Sequence, residues 1–200
     1  MRKRPEILAA VEGLVDEAVV RRIAEEVGAA VSVVYGRQGK DDLRQRLAAY
    51  NNAARLGAWL VLVDLNDDAD CAPQLVAEWL PNPSSNMCFR VAVRMVEAWI
   101  LADPDHLAAF LCVPPGRIPA CPELEADPKQ VLMNLARQSR RREIREDMMP
   151  RPQSGRRVGP AYASRLIEFV QSTWSPGAAA RHSESLRRCL LRLRDVTGQA

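Results

Sequence analysis

The strongest constraint on the fold is an uninterrupted apolar run at residues 59–63 (WLVLV), which leads directly into Asp64. A strand that is apolar at every position must be covered on both faces, as in the centre of a parallel sheet. Shorter apolar runs at residues 7–11 and 29–35 precede it, and residues 89–93 are a candidate edge strand. The sequence therefore predicts several short strands around one buried central strand.

Segments with helical spacing separate these strands. Apolar side chains recur through residues 19–27 and 43–54 at the intervals of amphipathic helices, and shorter helices are expected at residues 72–80 and 95–102. Asp16 is a candidate N-cap for the first helix. Alternating strands and helices predict an α/β fold, with a Rossmann-like, mainly parallel sheet flanked by helices.

The chain changes character near residue 103. Strand patterns stop there, prolines punctuate short segments, and two amphipathic helices are expected near residues 160–174 and 178–195. We therefore divide the chain into an α/β core at residues 1–102 and a helical, arginine-rich part at residues 103–200. The second part is expected to pack on the first, giving one domain.

Several protein classes are disfavoured. Glu12 interrupts the apolar run behind the basic N-terminus, and no stretch approaches a membrane span, so we expect no secretion signal and no membrane partner. The 5 cysteines are widely spaced, which favours reduced thiols and a cytoplasmic protein. With 2 histidines and no zinc spacing, a zinc hydrolase is not expected. The segment Gly36–Lys40 lacks the spacing of a phosphate-binding P-loop.

Acidic side chains follow two of the predicted strands. Glu12 follows the first strand and Asp64 ends the third, with Asn66, Asp67 and Asp68 just behind it. Ligands of parallel α/β sheets gather beyond the carboxyl ends of the strands. An oxygen-only cluster suits Mg²⁺ or Mn²⁺. The alternative for either segment alone is a solvated loop, because aspartate favours turns and caps.

These two segments resemble the motifs of Toprim domains, which pair a glutamate after the first strand with an Asp-x-Asp after the third. The matching residues are VEGLVD at 11–16 and VLVDLN at 61–66. The likeness extends to nucleases of the overcoming-lysogenization-defect type and, over most of the chain, to an uncharacterised Toprim-like family associated with ATPases in phage defence. It implies that Glu12 is a general base or metal ligand and that Asp64 is a metal ligand. Asn66 departs from the motif, so either Asp67 or Asp68 takes the second position or metal binding is weaker.

Glu97 and Lys129 complete the candidate catalytic set. Glu97 lies in an otherwise apolar helix start, where an acid needs a partner. The same nucleases resemble this chain in having a further acid after the Asp-x-Asp region. The alternative for Glu97 is a buried ion pair with Arg90 or Arg94. Lys129 is a candidate charge-stabilising residue, and a helix-start lysine is its alternative.

An arginine-rich segment supplies the candidate nucleic-acid contacts. Guanidinium groups bind phosphate through paired hydrogen bonds, which points to the following arginines: Arg137, Arg140, Arg141, Arg156 and Arg157. The alternative is a solvated surface with local pairs to Glu143, Glu146 and Asp147.

These features together predict a Mg²⁺-dependent Toprim-like nuclease that hydrolyses DNA or RNA, with a separately encoded ATPase as a candidate partner. One alternative is a non-catalytic Toprim-like protein that serves as an assembly or binding subunit of an ATPase complex. A phosphotransferase acting on mononucleotides is a second alternative, which the long arginine segment disfavours.

Overall fold

The computed structural model describes residues 4–198. Its strands are β1 (Glu6–Val11), β2 (Ala30–Gly36), β3 (Trp59–Asp64) and β4 (Met87–Ala92). The helices of the first half are α1 (Leu14–Glu26), α2 (Lys40–Ala53), α3 (Ala72–Trp79) and α4 (Val96–Leu101). The helices that follow are α5 (Pro104–Leu111), α6 (Pro128–Arg137), α7 (Arg142–Met148), α8 (Tyr162–Ser172), α9 (Pro176–Ala179) and α10 (Glu184–Thr197), with 3₁₀ turns at Pro115–Arg117 and Pro122–Leu124.

The strands form a 4-stranded sheet in the order β2-β1-β3-β4. Every neighbouring pair is parallel, so all carboxyl ends lie at one edge of the sheet. The predicted α/β fold with a mainly parallel, Rossmann-like sheet and flanking helices is confirmed. The apolar run at residues 59–63 is buried throughout, as its sequence requires.

Alternate side chains of the strands feed two hydrophobic layers. Ala9, Leu60 and Leu62 join the layer that contains α1 and α4. Ala10 and Val61 join the opposite layer, which contains α2 and α3. This period of two is what a parallel strand covered on both sides produces.

The helical second half of the chain packs on the hydrophobic layer that contains α1 and α4. Helix α8 contacts α1, and α10 lies against β4. Trp174 donates from Nε1 to the carbonyl of Trp99 at 3.3 Å, and both indoles are fully buried in one cluster. Residues on either side of position 103 therefore share one hydrophobic core. The outer ends of the two predicted parts, residues 1–3 and 199–200, lie outside the described residues.

Two details of the second half differ from expectation. The helix expected at 178–195 is split into α9 and α10. Helices α5, α6 and α7 fill a region where only proline-punctuated segments were expected; α5 and α6 begin at prolines, which suit a first helical turn. Among residues 4–198, no helix is both long and apolar enough to cross a membrane.

Candidate functional site

Glu12 and Asp64 meet at the point where the chain reverses its direction across the sheet. Strand β1 is followed by β2 on one side, whereas β3 is added on the other side of β1. Crevices for ligands open at such switch points in doubly wound sheets. Glu12 follows β1 directly, and Asp64 ends β3; the Asp64 amide donates to Glu12 Oε1 at 2.8 Å. The structure therefore brings together the two acids predicted from their motifs.

The loop between β2 and α2 wraps around the end of β1. Arg37 donates its amide to the Val11 carbonyl at 2.8 Å, and Gly39 donates its amide to the Glu12 carbonyl at 3.1 Å. Gly36 has φ +83°, and a Cβ there would overlap the Val11 carbonyl oxygen. Only glycine fits this close approach, which fixes the backbone beneath Glu12.

Lys40 begins α2 beside this loop. Its ammonium group pairs with Asp68, and its charge lowers the pKa of Glu12 while that of Asp68 raises it. Lys40 therefore lies between Glu12 and the acidic loop after β3. The sequence drew attention to Lys40 only as part of a failed P-loop pattern, so its place beside the acids was missed.

Asp16 is the acid that the sequence interpretation placed wrongly. Helix α1 begins at Leu14 with Gly13 as its N-cap, so Asp16 lies inside the first turn and does not cap the helix. Gly13 has φ −152°, an extended conformation open to any residue; its small size matters more, because a Cβ would lie 3.1 Å from Asp16 Oδ2. The Asp16 side chain points inward, and the residue is only 7% exposed.

Asp16 also carries an unsatisfied atom. Its Oδ1 is buried and has no hydrogen-bond partner in the part of the chain that the structure describes. Buried carboxylate oxygens normally accept hydrogen bonds. Burying even a neutral polar group without a hydrogen-bond partner is unfavourable by about 2–7 kcal/mol. The Oδ1 atom therefore keeps its capacity to accept a hydrogen bond or to meet a cation.

Glu97 is the fourth acid of the site. It lies in the first turn of α4 and is 4% exposed. Tyr162 donates its hydroxyl to Glu97 Oε1 at 3.3 Å, and Lys129 Nζ lies 3.4 Å from the same oxygen. The suggested ion pair with Arg90 or Arg94 is therefore wrong. The partner is instead Lys129, the other residue proposed as catalytic.

Burial and neighbouring carboxylates raise the pKa of Asp16 and of Asp64. Burial, together with the charges of Glu12 and Glu97, raises the pKa of Asp16 to about 6. Burial and the charges of Asp16, Glu12 and Glu97 raise the pKa of Asp64 well above its usual range, against a hydrogen bond from the Val96 amide at 2.9 Å. Burial is also the main reason why the pKa of Glu12 is raised. Mutual repulsion of this kind is relieved by protonation or by a bound cation.

The loop after β3 was expected to supply metal ligands, and the structure places its side chains elsewhere. The Asp67 side chain is fully exposed and lies 3.5 Å from Arg94. Asp68 pairs with Lys40. Asn66 has φ +48° and donates its amide to the Arg94 carbonyl at 2.8 Å, so the chain turns sharply here. The turn carries Asp67 away from Asp64, and Asp16 and Glu97 take its place among the acids that act on Asp64.

The carboxylates of Glu12, Asp16, Asp64 and Glu97 are chemically suited to a hard divalent cation, although they do not converge on one point. Within residues 4–198, no three His, Cys, Asp or Glu side chains converge as a ready-made metal centre. The acids that act on Asp64 are all carboxylates, and one of them, Asp16, has an orphaned oxygen. Such a set suits Mg²⁺ or Mn²⁺, which take carboxylates together with waters.

The predicted arginines fall into two groups. Arg141 pairs with Glu143 at 3.0 Å, as the solvated-surface alternative expected. Arg156 and Arg157 lie in an exposed loop, and within residues 4–198 they make no ion pair; the same holds for Arg137 and Arg140. The structure thus leaves four of the five guanidinium groups open to an external anion.

The exposed arginine loop is anchored beside Glu97. Gly159 donates its amide to the Met148 carbonyl at 2.9 Å, which closes the base of the loop. Helix α8 begins three residues later with Tyr162, whose hydroxyl contacts Glu97. Tyr162 was missed from the sequence, because an isolated tyrosine in an amphipathic helix gives no sign of an acid 65 positions away.

The fold and the position of the acids define a doubly wound α/β protein with an acidic crevice at its switch point. No family model, curated protein or solved structure matches the chain.

Proposed function

We propose that this chain is a Mg²⁺-dependent phosphodiesterase of the Toprim-like nuclease type, acting on DNA or RNA. The observation that carries the proposal is the buried, unpartnered Oδ1 of Asp16 among Glu12, Asp64 and Glu97. Lys129 pairs with Glu97 and Lys40 acts on Glu12, but no cation pairs with Asp16 or Asp64 among the described residues, so these two acids favour a bound cation.

Mg²⁺ or Mn²⁺ would be held by Glu12, Asp16, Asp64 and Glu97, and would supply a Lewis acid for the scissile phosphate and an acidified water. In hydrolysis, the water oxygen would bond to phosphorus and give up a proton to a carboxylate, while the phosphorus–oxygen bond to the sugar breaks and the leaving oxygen takes a proton from solvent. Glu12 suits the role of base, because burial raises the pKa of its carboxyl toward the pH of the reaction.

Lys129 and Tyr162 act from the other side of Glu97. Lys129 is 44% exposed while its ammonium lies 3.4 Å from Glu97, so it can meet both the acid and a phosphate in the crevice. It would stabilise the charge that develops on the phosphate oxygens. Tyr162 is a positioning residue: its hydroxyl holds Glu97, and burial raises the pKa of its phenol, so it remains a hydrogen-bond donor.

The unpaired arginines support a polymeric substrate. Arg156 and Arg157 project from a loop whose base lies next to Tyr162. Arg137 is the last residue of α6, and Lys129 lies in the first turn of the same helix. Phosphates flanking the reacting one would be bound by these guanidinium groups. A mononucleotide substrate would leave them without a role, which disfavours a phosphotransferase.

The experiment is a cleavage assay with plasmid DNA and structured RNA in Mg²⁺, Mn²⁺ or EDTA. We expect metal-dependent cleavage that is lost in Glu12→Gln and in Asp64→Asn. The matched control is Asp67→Asn, which removes an exposed acid from the same loop and should retain activity within about threefold. Loss of activity in Asp67→Asn would contradict the ligand set. Metal binding is read separately from the thermal shift with Mg²⁺.

A non-catalytic role in an ATPase complex is the second candidate. It is favoured by the asparagine at position 66 and by the lack of a ready-made metal centre among residues 4–198. It predicts no thermal shift with Mg²⁺ and intact substrates in every condition. A Mg²⁺ shift that is lost in Asp64→Asn would exclude it.

A further inference from the structure

A cavity of about 750 Å³ lies along the free edge of β4, and none of the four acids Glu12, Asp16, Asp64 and Glu97 is among the residues that line it. It is walled by α3 on one side and by the first turn of α10 on the other. Its lining is mostly apolar and includes Val76, Leu80, Val91 and Val93. A volume of this size, with an apolar wall and few polar groups, is typical of a small-molecule site.

Arg90 brings an uncompensated positive charge to this cavity. Its Nη1 donates to the Phe89 carbonyl at 3.3 Å, and its Nε is buried without a hydrogen-bond partner. Among residues 4–198, no acid forms an ion pair with Arg90. A partly buried guanidinium without a counter-ion is unfavourable, so an anion would stabilise it.

The acids that line the cavity are engaged elsewhere or exposed. Glu123 accepts the Ser185 amide at 3.0 Å and the Ser183 hydroxyl at 2.7 Å. Glu184 pairs with Arg188 at 2.7 Å. Asp70 lies in an exposed position at the rim. Among residues 4–198, Arg90 is therefore left without a counter-ion, which an external anion would supply.

An extended peptide added to β4 does not fit this edge. Arg192 already donates to the Met87 carbonyl at 3.3 Å, and the Val93 amide donates to Ser185 Oγ at 3.3 Å. The Phe89 carbonyl is taken by Arg90 itself. With its outward backbone groups occupied at both ends, the strand offers too few partners for pairing with another strand.

We propose that the cavity binds a small organic anion with an apolar body, whose acidic group accepts hydrogen bonds from Arg90. The apolar body lies against α3 and the residues around Val91. The site is independent of the acidic crevice, and it requires neither a metal nor nuclease activity.

The test uses two fluorescent probes with one ring frame: 8-anilinonaphthalene-1-sulfonate, which carries an anion, and N-phenyl-1-naphthylamine, which does not. Both are titrated into the full chain and into Arg90→Met. We expect the sulfonate probe to bind about tenfold or more weaker to the variant, and the neutral probe to change by less than about twofold. Arg55→Met, which removes an exposed arginine outside the cavity, should alter neither affinity.

Three results would overturn the proposal: no binding of the sulfonate probe, unchanged binding in Arg90→Met, or an equal loss for both probes. Thermal unfolding of Arg90→Met shows whether the variant is folded. Should it fail to fold, Ala77→Trp is used, because Ala77 lines the cavity from an exposed position on α3. It should abolish binding of both probes, and retained binding would count against the cavity.

Discussion

Replacing Asp16 with asparagine should stabilise the metal-free protein. Asparagine keeps the shape of the side chain and removes a charge that burial, together with the charges of Glu12 and Glu97, makes unfavourable. The pKa of Asp16 is raised from 3.8 to about 6, and each pKa unit corresponds to 1.36 kcal/mol, so ionisation of Asp16 destabilises the folded state by about 3 kcal/mol. For a chain of this length, that predicts a melting temperature higher by about 6–12 °C at pH 7.5 in EDTA.

The sign of the pH dependence follows from the same values. Between pH 3.8 and about 6, the folded state holds a proton on Asp16 that the unfolded state has lost. The free energy of unfolding therefore falls as pH rises through this window. The advantage of Asp16→Asn should be full above pH 6 and should vanish as pH approaches 3.8. Thermal melts of both proteins across this range, in EDTA, measure the difference.

The matched control is Asp41→Asn. Asp41 also lies in the first turn of a helix, but it is exposed, so the variant reports what a first-turn charge contributes to the helix dipole. We expect a change below about 1 kcal/mol there. Saturating Mg²⁺ should reverse the order, stabilising the wild type more than Asp16→Asn. A metal-free Asp16→Asn no more stable than the wild type would refute the reasoning that an ionised Asp16 is unfavourable at this buried position.

Three further outcomes test other parts of the site. Lys129→Met should lower cleavage by about a hundredfold with little change in melting temperature, and Lys129→Arg should recover part of it; equal activity of all three proteins would count against charge stabilisation. Gly159→Ala should lower the urea-derived free energy of unfolding by about 1–3 kcal/mol, because its Cβ would overlap the backbone of Asp147 and Met148. Arg156→Gln together with Arg157→Gln should reduce the salt slope of duplex DNA binding by about 2, and an unchanged slope would remove the loop from the interface.

The sheet could be predicted from the sequence because its signals are local. An apolar run at residues 59–63 requires cover on both faces wherever it lies, and the glycines at 28 and 36 mark the ends of their elements. Helices α5 to α7 are short and begin at prolines or arginines without long periodic stretches. Their burial depends on the surfaces offered by α4 and α8, which no local pattern reveals.

The acids of the site also divide into those that the local sequence could predict and one that it could not. Glu12 and Asp64 were identifiable because each follows a strand. Asp16 was not, because aspartate in a first helical turn has the same local signature whether it is exposed or buried. Its burial comes from packing that brings α4 over the start of α1. The spacing of Glu12 and Asp16, four residues apart, was the available signal, and the expectation of a cap obscured it.

The hydrogen bonds of the crevice show why these acids have unequal roles. Glu12 is held by the Asp64 amide, and Asp64 by the amide of Val96, the residue before Glu97. Each of these carboxylates is thus tied to the backbone of the next acid-bearing segment, which fixes the geometry while using some of its acceptor capacity. Asp16 Oδ1 has no such tie among the described residues. Asp16 Oδ1 is therefore the acceptor that remains open while Glu12 and Asp64 are held in place, so substituting Asp16 tests the charge of the site without removing either of their hydrogen bonds.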